Sequence, residues 1–280
     1  MRPVTQEAGC AAPRPGESRS ADMTVQSAIT KWIMLDALQY RILKRISPGP
    51  PGCCNGSSYE NKSKLRVLMG DGLFTMIAGR VVIDFGCGEG DDAIEMAKSG
   101  AARVTGIDIR EDVLQKARQK AAAAGVHDVC HFGCSATESA DVVVSVDAFE
   151  HVEKPHQILK TMNTLLKPGG QVLVSFGPPW YHPLGGHLFS VFPWAHLIFS
   201  ERALVRWRSD FKTDGATRFS EIAGGLNRMT VGRFEALVAD SPFEFASLEL
   251  VPIRRLRPFH NDLTREFLTA IVRCHLVRRG

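Results

Sequence analysis

The sequence predicts an α/β fold: a mostly parallel sheet sandwiched by helices, with an insertion after the fifth strand. Three observations carry that expectation. From about residue 65, short apolar runs alternate with helical stretches, the pattern of successive crossover units. The first such run opens straight into a glycine-rich turn, "RVVIDFGCGEGDD" at 80–92. The alternation then breaks at 177–229 before resuming, as it does where a lid or cap is inserted into a compact domain.

The elements follow in order. "VVIDF" (81–85) is a first strand and "DDAIEMAKSG" (91–100) a helix closed by glycine. "RVTGIDI" (103–109) is a second strand, and the alanine-rich "EDVLQKARQKAAAAG" (111–125) a strong helix. "VCHFG" (129–133) is a third strand, and the unbroken apolar run "DVVVSV" (141–146) a fourth, buried on both faces. A helix over 155–170 opens at Pro155 and stops at Pro168, and "QVLVSF" (171–176) is the fifth strand. After the insertion come a helix at 230–241 and strands at 243–255 and 267–278, which makes seven strands.

Ahead of this unit the chain is different. Residues 1–22 are rich in Pro, Gly, Ser, Arg and Ala and are expected to be a disordered tail. Residues 23–64 read as a helix and linker. The helix, 24–47, has a broad apolar stripe through Trp32, Leu35, Leu38 and Ile42, and Lys31, Asp36 and Arg41 interrupt it too often for a membrane span. It is expected to dock on the domain, with an interfacial helix placing Lys44 and Arg45 at lipid headgroups as the alternative.

A net charge of +4 over 280 residues is too mild to argue for nucleic acid. Arginines do gather late, at 254, 255, 257, 265, 273, 278 and 279, as a solvated basic face or a contact for an anionic ligand or membrane. The seven scattered cysteines and the lack of an apolar leader suggest reduced thiols in a cytoplasmic protein. Cys53 and Cys54 lack the spacing of a zinc site, and His127, Cys130, His131 and Cys134 are better explained as a strand, so no metal is expected.

The glycine turn decides the ligand class. In a dinucleotide fingerprint the third glycine lies three places after the second. Here Gly86, Gly88 and Gly90 alternate and Asp91 stands where that glycine belongs. No Lys-Ser/Thr follows, which removes the P-loop. Asp84, Glu89, Asp91 and Asp92 would repel a pyrophosphate and suit a cationic ligand without phosphate. Asp108, 20 residues after Gly88, ends the second strand, where an acid can accept both ribose hydroxyls. Ribose plus a cation, without phosphate, describes S-adenosyl-L-methionine.

"VVIDFGCGEG", "VTGIDI", "DVVVSVDAFEHV" and "LLKPGGQVLVSF" resemble, in order and spacing, the motifs of class I S-adenosylmethionine-dependent methyltransferases of the small-molecule type, similar to those of ubiquinone and menaquinone biosynthesis. The resemblance covers about 65–176 well and the closing elements loosely. It implies a Rossmann-like methyltransferase domain over 65–280, with 177–229 as its cap, and a small-molecule or lipid-like acceptor methylated at oxygen, carbon or nitrogen.

The resemblance also implies the cofactor contacts. Gly86, Cys87 and Gly88 approach the methionine part, and Asp84 orders their loop and helps hold the ammonium. Asp108 takes the ribose and Ile109 lies against the adenine. Asp147 lies by the cofactor after the fourth strand. Where the family places an acid after strand three, this chain has "HFGCSATES", so Ser135 or Glu138 is the candidate partner of the adenine amine. The plainer readings are a turn-capping Asp84 and a helix-capping Asp108.

A base is required only if the acceptor must lose a proton. The candidates follow strands four and five: His151 beside Glu150, and His182 and His187 on a Pro/Gly-rich loop. The run "HLFSVFPWAHLIFSERALVRW" (187–207) could line a pocket for a bulky acceptor or pack on the domain. Two other classes remain open: a nicotinamide-dependent oxidoreductase, disfavoured by Asp91, and a binding protein that keeps the cofactor pocket without turnover. No Asn-Pro-Pro-aromatic tetrapeptide or extended basic segment points to nucleic-acid or protein methylation.

Overall fold

The computed structural model describes residues 34–49, 63–222 and 225–279. The tail 1–22, the first part of the N-terminal helix and the linker cysteines Cys53 and Cys54 lie outside them. Within them, helix α1 runs through 34–46. Two short helices that the sequence pattern did not announce, α2 (Lys64–Met69) and α3 (Gly72–Ile77), lead into β1 (Val81–Phe85). Then come α4 (Asp91–Lys98), β2 (Arg103–Ile107), α5 (Glu111–Ala123), β3 (Cys130–Gly133), β4 (Ala140–Val146), α6 (Pro155–Leu165) and β5 (Leu166–Phe176). The cap holds α7 (Ala195–Ile198) and α8 (Glu201–Arg208), and the chain closes with α9 (Val231–Ala239), β6 (Phe243–Pro252), α10 (Arg265–Leu268) and β7 (Thr269–Arg278).

The seven strands form one sheet in the order β3-β2-β1-β4-β5-β7-β6. β1 to β5 are parallel, and β7 runs antiparallel to both β5 and β6. The central β4 is buried on both faces, as its unbroken valine run requires. Its side chains alternate with the pleat: Val142 and Val144 join the layer of α2 to α4 with Leu65, Leu68 and Met96, whereas Val143 joins Leu159, Met162 and Phe234 on the other face.

Several boundaries differ from the expected ones. β5 begins at Leu166 rather than 171, because Leu166 pairs with Ala140 and a bulge absorbs Lys167–Gly170 before Gln171 pairs with Val142. β6 stops at Pro252, and residues 254–259 form a 3-10 turn, since proline cannot donate to the ladder. The last strand starts at Thr269, and Arg265–Leu268 make a helical turn instead.

The cap has its own small core. Trp207, Phe189 and Phe219 are almost fully buried together with Leu204 and with Leu43 of α1. The α1 helix docks there: Ser200 Oγ donates to Asp36 (2.6 Å), Tyr40 donates to Asp210 (3.0 Å), and Trp207 Nε1 donates to the Ser47 carbonyl (2.8 Å). The expected docked helix is therefore a structural part of the cap. Much of the apolar run 187–207 is taken up by this packing, with Phe189, Leu204 and Trp207 almost fully buried in it.

Candidate active site

Parallel strands deliver their loops to one edge, and the carboxyl ends of β1, β2, β4 and β5 bring the expected site residues together there. The glycine turn after β1 is pinned to its neighbour: the Gly86 and Cys87 amides both donate to the Ile107 carbonyl (2.8 and 3.0 Å). Gly86 and Gly88 have φ of 84° and 51°, backbone that only glycine adopts without strain. A Cβ on Gly86 would also stand 3.0 Å from that of Ala148, so the turn passes close to the loop after β4. Cys87 has a packing role. Its buried Sγ sits 2.9 Å from where a Cβ on Gly106 would be, filling the space that this bare glycine leaves.

Asp84 is almost fully buried at the end of β1. One oxygen accepts the Ala93 amide at the start of α4, while Oδ2 is buried with no hydrogen-bond partner among the described residues. Burial, and then the charge of Asp92, push this carboxyl up to about 8. Asp147 follows β4 with a φ of 50°, a strained value for a non-glycine residue, and its Oδ1 is likewise buried without a partner among the described residues.

A lysine that sequence reasoning missed sits among these acids. Lys64, the first residue of α2, places Nζ 3.3 Å from Asp92 and 3.4 Å from Asp147. Burial opposes its charge, yet the carboxylates of Asp92, Asp147 and Asp84 hold its pKa above the usual lysine value. Only the packing of α2 against the sheet brings it here. The run "KLRVLM" carries no motif that would have found it.

The acids of the glycine turn divide into two groups. Asp84 and Asp92 face the site. Glu89 bonds Lys116 (2.8 Å) and Lys120 (3.0 Å), which hold its carboxyl down to about 2, and Asp91 also pairs with Lys120. These two belong to a surface network on α5, not to the rim of the ligand site.

Asp108 accepts the Gly88 amide (3.0 Å) and the Arg110 amide (3.0 Å), and Arg110 lays Nε and a terminal nitrogen against its two oxygens. Burial works against its charge, but these bonds from Arg110 and Gly88 hold its carboxyl below the usual range. Ile109 beside it is 94% exposed, an apolar face open to a flat ring. Ser135 is exposed just beyond Gly133, which pairs with Ile107, so it stands at the same edge. Glu138 does not. It pairs with Arg103 (3.1 Å) at the start of β2, roughly 16 Å of strand away from Asp108, and so is no partner for an adenine there.

The three candidate histidines separate by tautomer. His151 Nδ1 lies 2.8 Å from the Gly225 carbonyl, which can only accept, so Nδ1 carries the hydrogen and the neutral ring has its lone pair on Nε2. That Nε2 is 3.9 Å from Glu150, a carboxyl that burial, and then the Asp147 charge, push up to about 8. The ring of His187 meets His151 edge to face at 5.3 Å, and burial lowers its pKa to about 3. His182 instead accepts the Leu184 amide on Nδ1 (2.9 Å), which leaves the hydrogen of its neutral ring on Nε2. Burial holds it down to about 4. The returning chain closes the site: Asn227 donates to the carbonyls of Phe149 (2.6 Å) and Val152 (2.8 Å), on either side of Glu150 and His151.

Comparison with known proteins points to the same kind of domain. Residues 78–177 match a family described as a methyltransferase domain. Over 107 residues the chain is 39% identical to the ubiquinone biosynthesis O-methyltransferase of Neisseria meningitidis serogroup C (strain 053442), covering 35% of this chain and 44% of that protein. Over 100 residues it is 38% identical to the ribosomal protein L11 methyltransferase of Vibrio cholerae serotype O1, covering 35% of this chain and 34% of the relative. The matches thus span less than half the length of these relatives. In overall fold it is similar to the magnesium protoporphyrin IX methyltransferase of Synechocystis PCC 6803, solved with bound SAH, at a TM-score of 0.52 and 18% identity over 89% of this chain and 99% of that one. Residues 78–177 thus match a methyltransferase domain, and the sheet order around them is that of a similar fold.

Proposed function

We propose that this protein transfers a methyl group from S-adenosyl-L-methionine to a small or lipophilic acceptor. One observation carries the reading: two buried carboxylate oxygens, Asp84 Oδ2 and Asp147 Oδ1, have no hydrogen-bond partner among the described residues and lie beside a glycine turn that a Cβ would obstruct. Buried carboxylates in that state call for a cation, and the glycines leave room for a ligand against the backbone. Asp84 and Asp147 would hold the ammonium, and Lys64 the carboxylate, of the cofactor's amino-acid end. Asp108 would take the ribose hydroxyls, and Ile109 and Ser135 would face the adenine. The cofactor supplies an activated methyl on a sulfonium, so the protein's task is alignment and exclusion of water.

His151 is the base we assign when the acceptor must lose a proton, because its free lone pair is the one aimed away from a backbone partner. Glu150 lies 3.9 Å from that nitrogen, Nε2. His182 has the opposite tautomer and orders the Leu184 turn instead. Relatives named for ubiquinone biosynthesis and for a ribosomal protein match similar lengths of this chain, so the matched stretch leaves the acceptor class open. No helix among the described residues is long and apolar enough to cross a membrane; we assign the protein to the cytoplasm on its odd number of scattered cysteines.

Titration calorimetry with S-adenosylhomocysteine and NAD tests the cofactor. Incubation of cell extract with deuterated-methyl cofactor, followed by mass spectrometry, tests turnover. Binding of NAD in place of S-adenosylhomocysteine would overturn the reading. Tight cofactor binding with no labelled product in any extract would reduce the protein to a binding module.

A further inference from the structure

The seven late arginines do not behave alike. Arg265 pairs with Glu235 and Arg273 with Glu249, while Arg278 and Arg279 donate to backbone carbonyls of neighbouring segments. Arg254, Arg255 and Arg257 are exposed and have no ion pair or hydrogen bond from their side chains among the described residues. All three lie on the 3-10 turn that follows β6.

The same tip, between the last β6–β7 pair at Pro252 and Thr269, presents Phe259, Leu263 and Phe267 at 64%, 92% and 44% exposure. Of its acids, Glu266 is engaged by the Val231 and Gly232 amides, so Asp262 alone faces solvent against three arginines. The tip lies at the same sheet edge as the site. Gly177, where the cap begins, nearly touches the Ala270 backbone, and Tyr181 of the cap meets the Phe267 ring at 5.5 Å.

Large apolar side chains kept in water beside unpaired guanidinium groups match a surface that is apolar within and anionic at its face. Nucleic acid would use the arginines and leave Leu263 without a purpose. We propose that the 253–268 tip docks on an anionic lipid bilayer, with Phe259, Leu263 and Phe267 entering the headgroup boundary and Arg254, Arg255 and Arg257 on lipid phosphates. The docking surface stands by itself. That it brings the acceptor entrance to the bilayer rests on the methyl-transfer reading.

Flotation of the full chain with two kinds of vesicle tests it: phosphatidylcholine alone, and phosphatidylcholine with about one-third phosphatidylglycerol. The protein should float with the anionic vesicles and not the neutral ones, and rising salt should release it. Replacing Arg254, Arg255 and Arg257 together by Gln should weaken binding on the order of a hundredfold, about fivefold for each arginine. The pair Phe259→Ser and Leu263→Ser should weaken it at least about tenfold. None of these should alter S-adenosylhomocysteine affinity, which is measured separately and judges the cofactor reading independently.

No flotation of the wild type, or equal flotation with neutral vesicles, overturns the proposal. So does flotation unchanged by both variant sets. A protein that ignores vesicles but forms a dimer dissolved by Leu263→Ser would assign the face to self-association instead.

Discussion

Arg110 grips Asp108 with both arms of its guanidinium, 3.1 Å to one carboxylate oxygen and 3.2 Å to the other. These are the oxygens that a ribose diol would need. Arg110 is also the side chain closest to where a Cβ on Gly88 would lie, at 4.0 Å. Arg110 therefore lies over the proposed nucleoside seat, and a ribose there would compete with it for Asp108. Its side chain is 56% exposed, so the contact is screened and worth at most about 1 kcal/mol. Arg110→Met should tighten S-adenosylhomocysteine binding by about two- to fivefold in calorimetry. Weaker binding would mean that Arg110 holds the cofactor instead of guarding its place.

Asp84 and Glu150, both pushed up to about 8, give cofactor affinity and stability opposite pH dependences. A cationic ligand favours the ionised carboxylate, so affinity should rise from pH 6 to pH 9, and binding near neutrality should release protons to buffer. Stability runs the other way. A carboxyl whose folded pKa lies above its unfolded value, about 4, contributes stability below that value and loses it as pH rises through 8. The ligand-free Tm should therefore fall from pH 5 to pH 9. A flat Tm across that range would mean that the two carboxyls are ionised in the folded protein throughout.

Asp84→Asn separates function from stability at one residue. The amide no longer has a charge to bury, so Tm at pH 9 should rise above that of the wild type. Loss of the charge-assisted partner should weaken cofactor binding by roughly ten- to a hundredfold. Unchanged affinity would return Asp84 to a turn-capping role, since the Ala93 contact would survive.

The tautomer argument distinguishes the histidines. With the acceptor found in extract, His151→Gln should lower kcat by about two to four orders of magnitude, the range for loss of a general base. His182→Gln should change kcat only severalfold, because its Nδ1 already serves the Leu184 amide. Equal losses would remove His151 from the role.

Trp207 tests whether the cap is a separate unit. It is almost fully buried and ties α1 to the cap through the Ser47 carbonyl. Trp207→Ala should cost about 3–5 kcal/mol of cap stability. Hydrogen exchange should speed up in 34–46 and 195–211 while β1, β4 and β5 stay protected. Uniform loss of protection would show that cap and sheet unfold together.

The sheet was legible because local chemistry set it. The valine run of β4 can only be a strand buried on both faces, and alternating glycines after "VVIDF" can only be a tight turn with positive φ. Asp84 and Asp108 were legible for the same reason: each sits at a fixed offset from that turn, and both lie at the strand ends that the pattern indicates. Glu138 misled because sequence order gives no direction, and its side chain turned back toward Arg103. The acids at 89 and 91 looked like part of the ligand rim until lysines of α5 claimed them, a pairing between residues 27 to 31 positions apart.

By itself, the sequence determined the α/β order, the turn and the acids at the strand ends, because these depend on neighbours a few residues away. Only the tertiary structure decided that Lys64 enters the acidic site, that His151 rather than His182 has a free lone pair, and that the 34–46 helix belongs to the cap. Each of these depends on a partner far along the chain, and burial, charge and tautomer are set by what the folded neighbours leave unsatisfied.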